Sequence, residues 1–423
     1  MKRFIVYIVV IMICLVGSVC CCVYYGGRIN NTDPNTTTKP SDPQSYNDSD
    51  FSIKLLKTVN SINSDNYLVS PYSIQTALSM VRDGANGKTK EEIDSLIGTN
   101  KPAKINNTNI KISNAMFLKN KYKSYTNNTY TTGLVNNYNS EMLFDEFQTP
   151  KVINDWVNNK TDGMIEKVVD SLDPDFVLGL ANAIAIDVKW ASEFECESTV
   201  EAEFTKKDGT KKKVEMMNKS YEYNGSASYI ESDKATGIVV PYKEDTNLEY
   251  VAILPNDSID SYINDLTKDK LDSLLNNRKS ASDKLHIRLS LPRYTYDYDL
   301  TQFGDVLKTM GMNEAFNPDT ADFTGIMTKD NMSKSGVGNL YISQSVHKTH
   351  IELNEAGTKA AAVTFFGMSK NSLAPSDFEV KNVNLNKTYL YMIREKTTGS
   401  ILFLGVVNSP NEWKGTTCSN SEL

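Results

Sequence analysis

The stretch Glu355-Ala356-Gly357-Thr358-Lys359-Ala360-Ala361-Ala362-Val363-Thr364 is the place to begin. Small side chains contribute little packing, so this run makes a poor permanent core strand. It suits a segment that leaves a loop and slides between two strands already in place. In an extended conformation successive side chains alternate faces. Thr358, Ala360, Ala362 and Thr364 then share one face and are all small, while Lys359, Ala361, Val363 and Phe365 share the other, which holds the only charge. An Ala-rich helix end fits the pattern equally well, since alanine is the best helix former. The flanks favour the strand. Residues 340–353 are rich in β-branched and aromatic side chains and predict one long strand. Gly357 supplies a pivot, and a Ser/Pro-rich loop follows over residues 367–375.

Working outward, distinctive blocks recur along the chain. Leu68-Val69-Ser70-Pro71-Tyr72-Ser73-Ile74 leads into an apolar helix and then Gly84-Ala85-Asn86-Gly87. Ile112-Ser113-Asn114-Ala115-Met116-Phe117, Ile153-Asn154-Asp155-Trp156-Val157 with Thr161-Asp162-Gly163, and Asn182-Ala183-Ile184-Ala185-Ile186-Asp187-Val188-Lys189-Trp190 come next. Leu289-Ser290-Leu291-Pro292-Arg293-Tyr294, Leu307-Lys308-Thr309-Met310-Gly311, Ala321-Asp322-Phe323-Thr324-Gly325 and Leu402-Phe403-Leu404-Gly405-Val406 complete the series. In kind and order these blocks, with the small-residue stretch, resemble the serpin family from about residue 51 to residue 410.

That resemblance implies an α+β serpin fold of three β-sheets, about eight or nine helices and an exposed C-terminal reactive-centre loop. It implies four segments: a leader over 1–25, a tether over 26–50, one serpin domain over 51–410 and a tail over 411–423. Glu355, Gly357, Thr358, Ala360, Ala361 and Ala362 become the loop hinge. His347, eight residues before Glu355, becomes a "shutter" residue that hydrogen-bonds Ser70, Ser73 and Asn182 beneath the central sheet. Trp190, Arg293 and Glu355 become the "breach", where insertion begins. With Glu355 counted as the seventeenth residue before the scissile bond, that bond joins Asn371 to Ser372, and Lys370 is the alternative for a trypsin-like protease. Residues 372–386 are longer than in compact relatives, which displaces the count by several positions. Met368 and Leu373 would suit chymotrypsin- or elastase-like enzymes.

The implied activity is suicide inhibition of a serine, or alternatively cysteine, protease. The protease cuts the loop, and the freed segment inserts into the central sheet and drags the acyl-enzyme with it. The native fold is then kinetically rather than thermodynamically stable. Uncharged Thr358 and small Ala360, Ala361 and Ala362 favour inhibition, because a charge there would slow insertion. The alternative is a non-inhibitory serpin acting as an extracellular binding or carrier protein. A monomer is implied in either case.

Nothing points to an enzyme. No Gly-x-Ser-x-Gly, His-Glu-x-x-His, phosphate-binding Gly loop or Cys-x-x-Cys occurs. His347 and His350, three apart on a strand, point to opposite faces and cannot share a metal. His286 sits in an apolar strand as a structural or exposed residue. No metal and no cofactor are expected. Net charge is −7, which argues against nucleic acid as a partner. The basic run 206–213 centres on Asp208-Gly209 and predicts a solvated hairpin tip, with a polyanion or protease exosite as the lesser reading. Residues 94–110 are short and Asn-rich, so no glycosaminoglycan helix is expected there.

Lys2 and Arg3 precede an apolar run over residues 4–25. These 22 residues would extend ~33 Å as a helix, enough to span a bilayer. A signal anchor, a cleaved signal peptide and a lipoprotein leader acylated at Cys20, Cys21 or Cys22 all fit. Each places the domain outside the cytoplasm, secreted or anchored through the membrane by this segment. Residues 26–50 read as a disordered tether with a reach of roughly 25–30 Å. Beyond the leader only Cys196 and Cys418 remain, which is no disulfide framework but leaves a single bridge open.

Overall fold

The computed structural model describes residues 48–105, 110–223, 226–358 and 378–414. Helix α1 (Asp48–Asn60) leads through β1 (Tyr67–Val69) to α2 (Pro71–Asp83) and α3 (Gly87–Ile97). Then come β2 (Ile110–Lys119), α4 (Asn128–Tyr138), β3 (Ser140–Asp145), α5 (Lys151–Lys160), β4 (Leu178–Ile186) and β5 (Val188–Lys189). The middle holds β6 (Thr199–Thr205), β7 (Lys211–Tyr221), β8 (Ser228–Glu231), β9 (Ala235–Pro241) and β10 (Leu248–Pro255). Helices α6 (Ile259–Asp265) and α7 (Lys268–Asn276) precede β11 (Lys279–Ser280), β12 (Leu285–Pro292) and β13 (Tyr294–Asp299). The rest is α8 (Phe303–Thr309), α9 (Lys329–Ser335), β14 (Lys348–Leu353), β15 (Gly357–Thr358), β16 (Glu379–Asn384), β17 (Tyr389–Glu395) and β18 (Ile401–Val407).

One sheet has the order β1-β18-β17-β10-β9-β8-β11, and a second β16-β12-β7-β6. The central strands β17 and β18 are apolar almost without interruption and almost wholly buried, as strands covered on both faces must be. The third sheet is divided. Its ladders are β13-β14-β15-β5 and β3-β2-β4. Because β4 and β5 are successive stretches of one run broken only at Asp187, the two ladders are parts of one layer. Below β15 this layer is open. A cavity of about 620 Å³ lies there, with residues 177–186 on one side and 340–351 on the other.

This opening corrects the expectation of one long strand over 340–353. Only Lys348–Leu353 forms a strand, paired antiparallel with β13 from Lys348↔Asp299 to Leu353↔Tyr294. Residues 340–347 form no ladder among the described residues. Their side chains favour extended backbone, but a ladder also needs a neighbour, and the place beside them is the cavity. Within β14 the alternation holds, with Thr349, Ile351 and Leu353 buried and Lys348, His350 and Glu352 partly exposed.

The basic run forms the β6–β7 hairpin. Gly209 takes φ 82°, and the Asp208 carboxylate accepts from Thr210 N–H and its hydroxyl. The lysines are already engaged: Lys211 with Glu203 and Lys213 with Glu201, both at 2.7 Å, Lys207 with Asp260 at 2.8 Å, and Lys212 with Pro410 O at 2.7 Å. Three of the five lysines in the run are thus ion-paired, which lowers the positive charge it offers a polyanion. After α3 ends at Ile97, no helix follows among the described residues before β2. Among the described residues no helix is long and apolar enough to cross a membrane. The leader, where the anchor is expected, and residues 26–47 of the tether lie outside the described residues, as do Cys418 and the cysteines of the leader; residues 48–50, expected in the tether, already belong to α1. Cys196 is disulfide-bonded.

Candidate functional site

The polar cluster under the open sheet starts from the first turn of α2. Ser70 is its N-cap, with Pro71 in the first helical position, and the Ser70 hydroxyl accepts from Ser73 N–H at 3.2 Å. The same hydroxyl donates to Leu402 O of β18 at 2.7 Å, fixing the helix end to the sheet below. Ser70 N–H donates to His347 Nε2 at 3.1 Å. The neutral ring therefore keeps its proton on Nδ1. His347 is buried, and burial pushes its pKa down from 6.5 to about 4.

Across the cavity, the Ser73 hydroxyl donates to Asn182 Oδ1 on β4. Asn182 Nδ2 donates to Asn114 Oδ1 at 2.7 Å, and Asn114 Nδ2 to Tyr138 O at 2.7 Å. Ser70, Ser73, Asn182 and His347 are thus one network. His347 is not hydrogen-bonded to Asn182, however; the two are linked through the start of α2. One arm holds β4 and the other holds the 340–347 run. Asn114 extends the network and carried no signal in sequence beyond its place in a strand.

Above the cavity the two flanking strands are bridged by β15. Gly357 pairs with Lys189 and Thr358 with Val188 on one side, and Thr358 with Leu353 on the other. The chain reaches this slot through a turn. Asn354 Oδ1 accepts from Ala356 N–H at 3.0 Å and Gly357 N–H at 3.3 Å, an Asx-type turn. Gly357 is needed for space. A Cβ there would lie 2.1 Å from Val188 O and 2.7 Å from Lys189 Cα. Its backbone freedom is used as well, with φ at 158°, so the expected pivot is also a close approach to β5.

Glu355, 5% exposed, is held by three donors: Thr199 Oγ1 at 2.6 Å, Arg293 Nε at 3.1 Å and Arg293 Nη2 at 2.5 Å. Arg293 also reaches Glu215 at 3.5 Å. Trp190 lies beside this pair and bonds its neighbours: Trp190 Nε1 donates to Asn354 O at 2.9 Å, and its N–H to Ala356 O at 3.0 Å. Phe194 N–H donates to Glu355 O at 2.8 Å. The Trp190 ring stacks on Tyr242 with centroids 4.6 Å apart and planes 5° from parallel. The Tyr242 hydroxyl lies 2.6 Å from Thr358 Oγ1. Burial pushes the Tyr242 phenol up, so it stays neutral. Thr199, Glu215, Asn354 and Tyr242 were not legible as site residues.

Lys370, Asn371 and Ser372, expected at the reactive bond, and Ala360, Ala361 and Ala362 lie outside the described residues. The other two histidines stand apart from these clusters. His350 pairs with Asp297 at 2.7 Å on the opposite face from His347, and the His286 ring stacks on Phe378 at 3.9 Å.

A family model described as Serpin (serine protease inhibitor) matches residues 46–410. The chain belongs to the serpin family. Human leukocyte elastase inhibitor is 29% identical over 387 residues, covering 85% of this chain and 97% of that protein. Among solved serpins, the thermophilic serpin tengpin in its native state superposes with a TM-score of 0.74 at 32% identity, covering 89% of this chain and 97% of that one. Human thyroxine-binding globulin superposes with a TM-score of 0.72 at 23% identity, covering 86% of this chain and 98% of that one, a likeness of fold alone.

Proposed function

We propose that this serpin is a suicide inhibitor of a protease that cuts its reactive loop between Asn371 and Ser372, or after Lys370. The observation that carries this reading is β15. Gly357 and Thr358 already occupy the top of a slot between β5 and β14, and the cavity beneath them lies between β4 and the 340–347 run, with no ladder joining the two. Cleavage of the loop frees residues 359 onward to continue downward as a new strand. Each backbone hydrogen bond made on insertion adds about 0.5–1.5 kcal/mol. In this reading Glu355, Gly357 and Thr358, continued by Ala360, Ala361 and Ala362, are the hinge. Arg293 and Trp190 hold its start, and the Ser70, Ser73, Asn182 and His347 network is the catch that exchanges partners as the strands part.

The apolar leader supports a protein that works outside the cytoplasm, secreted or attached to a membrane. Lys370 supports a trypsin-like target, and Met368 and Leu373 a chymotrypsin- or elastase-like one. The chain is mixed with a panel of serine and cysteine proteases and examined on a denaturing gel, and the released C-terminal peptide is sequenced. A complex stable to SDS, with a peptide beginning at Ser372 or Asn371, is expected. Clean cleavage without a complex across the panel would instead favour the non-inhibitory carrier reading.

A further inference from the structure

Thr358 is the last described residue of the hinge, and its side chain is held by a group that belongs to neither strand beside it. That group is the Tyr242 hydroxyl, at 2.6 Å. Tyr242 follows β9 and is fully buried. Its backbone surroundings are fastened to the end of β5: Ala191 N–H donates to Pro241 O at 3.0 Å, and Lys243 N–H to Lys189 O at 2.9 Å. Its ring is fixed by the parallel stack on Trp190, which is itself fully buried and edge-on to Tyr250 at 5.6 Å. The hydroxyl is therefore set in place by packing, and it faces the slot at the depth of the first inserted side chain.

We propose that Tyr242 is a positioning residue for loop insertion, its hydroxyl seating Thr358 so that the new strand grows from a rung already formed. This rests on the inhibitory reading above. The physical reason is twofold. A strand that starts from a fixed residue avoids the unfavourable step of closing the first rung, so insertion gains on hydrolysis of the acyl-enzyme. If Thr358 leaves, the buried phenol loses the partner it has here, and an unsatisfied buried hydroxyl disfavours the unseated state by roughly tenfold or more. The same bond holds Gly357 and Thr358 in the slot. Tyr242 thereby sets a balance between reach toward the protease and readiness to insert.

The test uses the full chain and the variants Tyr242→Phe, Thr358→Val, Thr358→Ser and the double variant Tyr242→Phe/Thr358→Val. Two quantities are measured: the ratio of SDS-stable complex to cleaved inhibitor, and amide hydrogen exchange of residues 354–358 in the uncleaved protein. Tyr242→Phe and Thr358→Val are each expected to speed exchange of that segment about tenfold and to lower the complex-to-cleaved ratio several-fold. The double variant is expected to be no worse than either single one, and Thr358→Ser, which keeps the hydroxyl, to behave as wild type. Unchanged exchange in Tyr242→Phe, or effects that multiply in the double variant, would overturn the proposal. A wild-type chain that traps no protease would sink the inhibitory reading alone; hydrogen exchange would still decide whether Tyr242 seats the hinge.

Discussion

Arg293 grips a single oxygen of Glu355 with two nitrogens, Nε at 3.1 Å and Nη2 at 2.5 Å. The carboxylate is 5% exposed, and the Arg293 side chain is about a quarter exposed. Losing one member of such a pair leaves a buried charge without its counterpart. Arg293→Met is therefore expected to destabilise the native state by about 2–4 kcal/mol, the lower end reflecting the partial exposure of Arg293. Adding Glu355→Met to it should recover a good part of the loss. Urea midpoints of the single and double variants check this; equal destabilisation by both would show that the charge pair is not what holds the hinge.

Gly357 makes the second prediction. Its would-be Cβ meets backbone atoms of Val188 and Lys189, which cannot rotate aside. Gly357→Ala should break the pairing with β5 and expel Thr358, costing more than about 2 kcal/mol of docking. Limited proteolysis is the measurement. The variant should become cleavable around residues 355–358, where the wild type is protected.

Much of this arrangement was legible in the sequence because it depends on local chemistry. The block around Ser70 leads into an apolar helix, the β-branched residues before Glu355 favour a strand, and the resemblance these blocks carry pointed to Ser70, Ser73, Asn182, His347, Trp190 and Arg293. The hinge stretch stands out because it contains so little to pack. What escaped was set by distant strands. Tyr242 looks like any apolar strand residue, and only the fold stacks it on Trp190 and aims its hydroxyl at Thr358, 116 residues away. Thr199 and Glu215 are ordinary strand residues until β6 and β7 bring them to Glu355 and Arg293. The run 340–347 misled for the complementary reason, since strand propensity belongs to residues but a ladder belongs to pairs.

The lysines of the β6–β7 hairpin are cross-paired, and surface pairs of this kind contribute about 0–1 kcal/mol each. Replacing Lys211 and Lys213 with Gln should change the melting midpoint by no more than a few degrees. It should also leave elution from a heparin column nearly unchanged. A large fall in the eluting salt concentration would restore the polyanion reading of this hairpin.

Thr358→Arg places a charge where the native side chain is 5% exposed and bonded to a neutral phenol. Burying an unpaired charge is strongly unfavourable. The variant should stay folded by leaving its hinge outside the slot, bind protease normally and be cut as a substrate. At least a tenfold fall in the yield of SDS-stable complex is expected, scored beside the cleaved product on one gel. A variant that traps protease as well as the wild type would remove Thr358 from the insertion path.

His347 links the polar network to pH. Its pKa is lowered to about 4 by burial, against 6.5 for an exposed ring. Between those values the unfolded chain takes up a proton that the native protein does not. Stability is therefore complete above about pH 6.5, erodes as the pH falls toward 4 and levels off below it. The full span corresponds to about 3 kcal/mol. Protonation would also remove the Nε2 lone pair that accepts Ser70 N–H, so the arm holding residues 340–347 would let go of α2 first. His347→Gln should lower stability at pH 7 but flatten its dependence between pH 6.5 and 4. Urea midpoints at pH 7.0 and 4.5 for both proteins test this, and parallel losses in wild type and variant would mean that the acid sensitivity of this fold resides elsewhere.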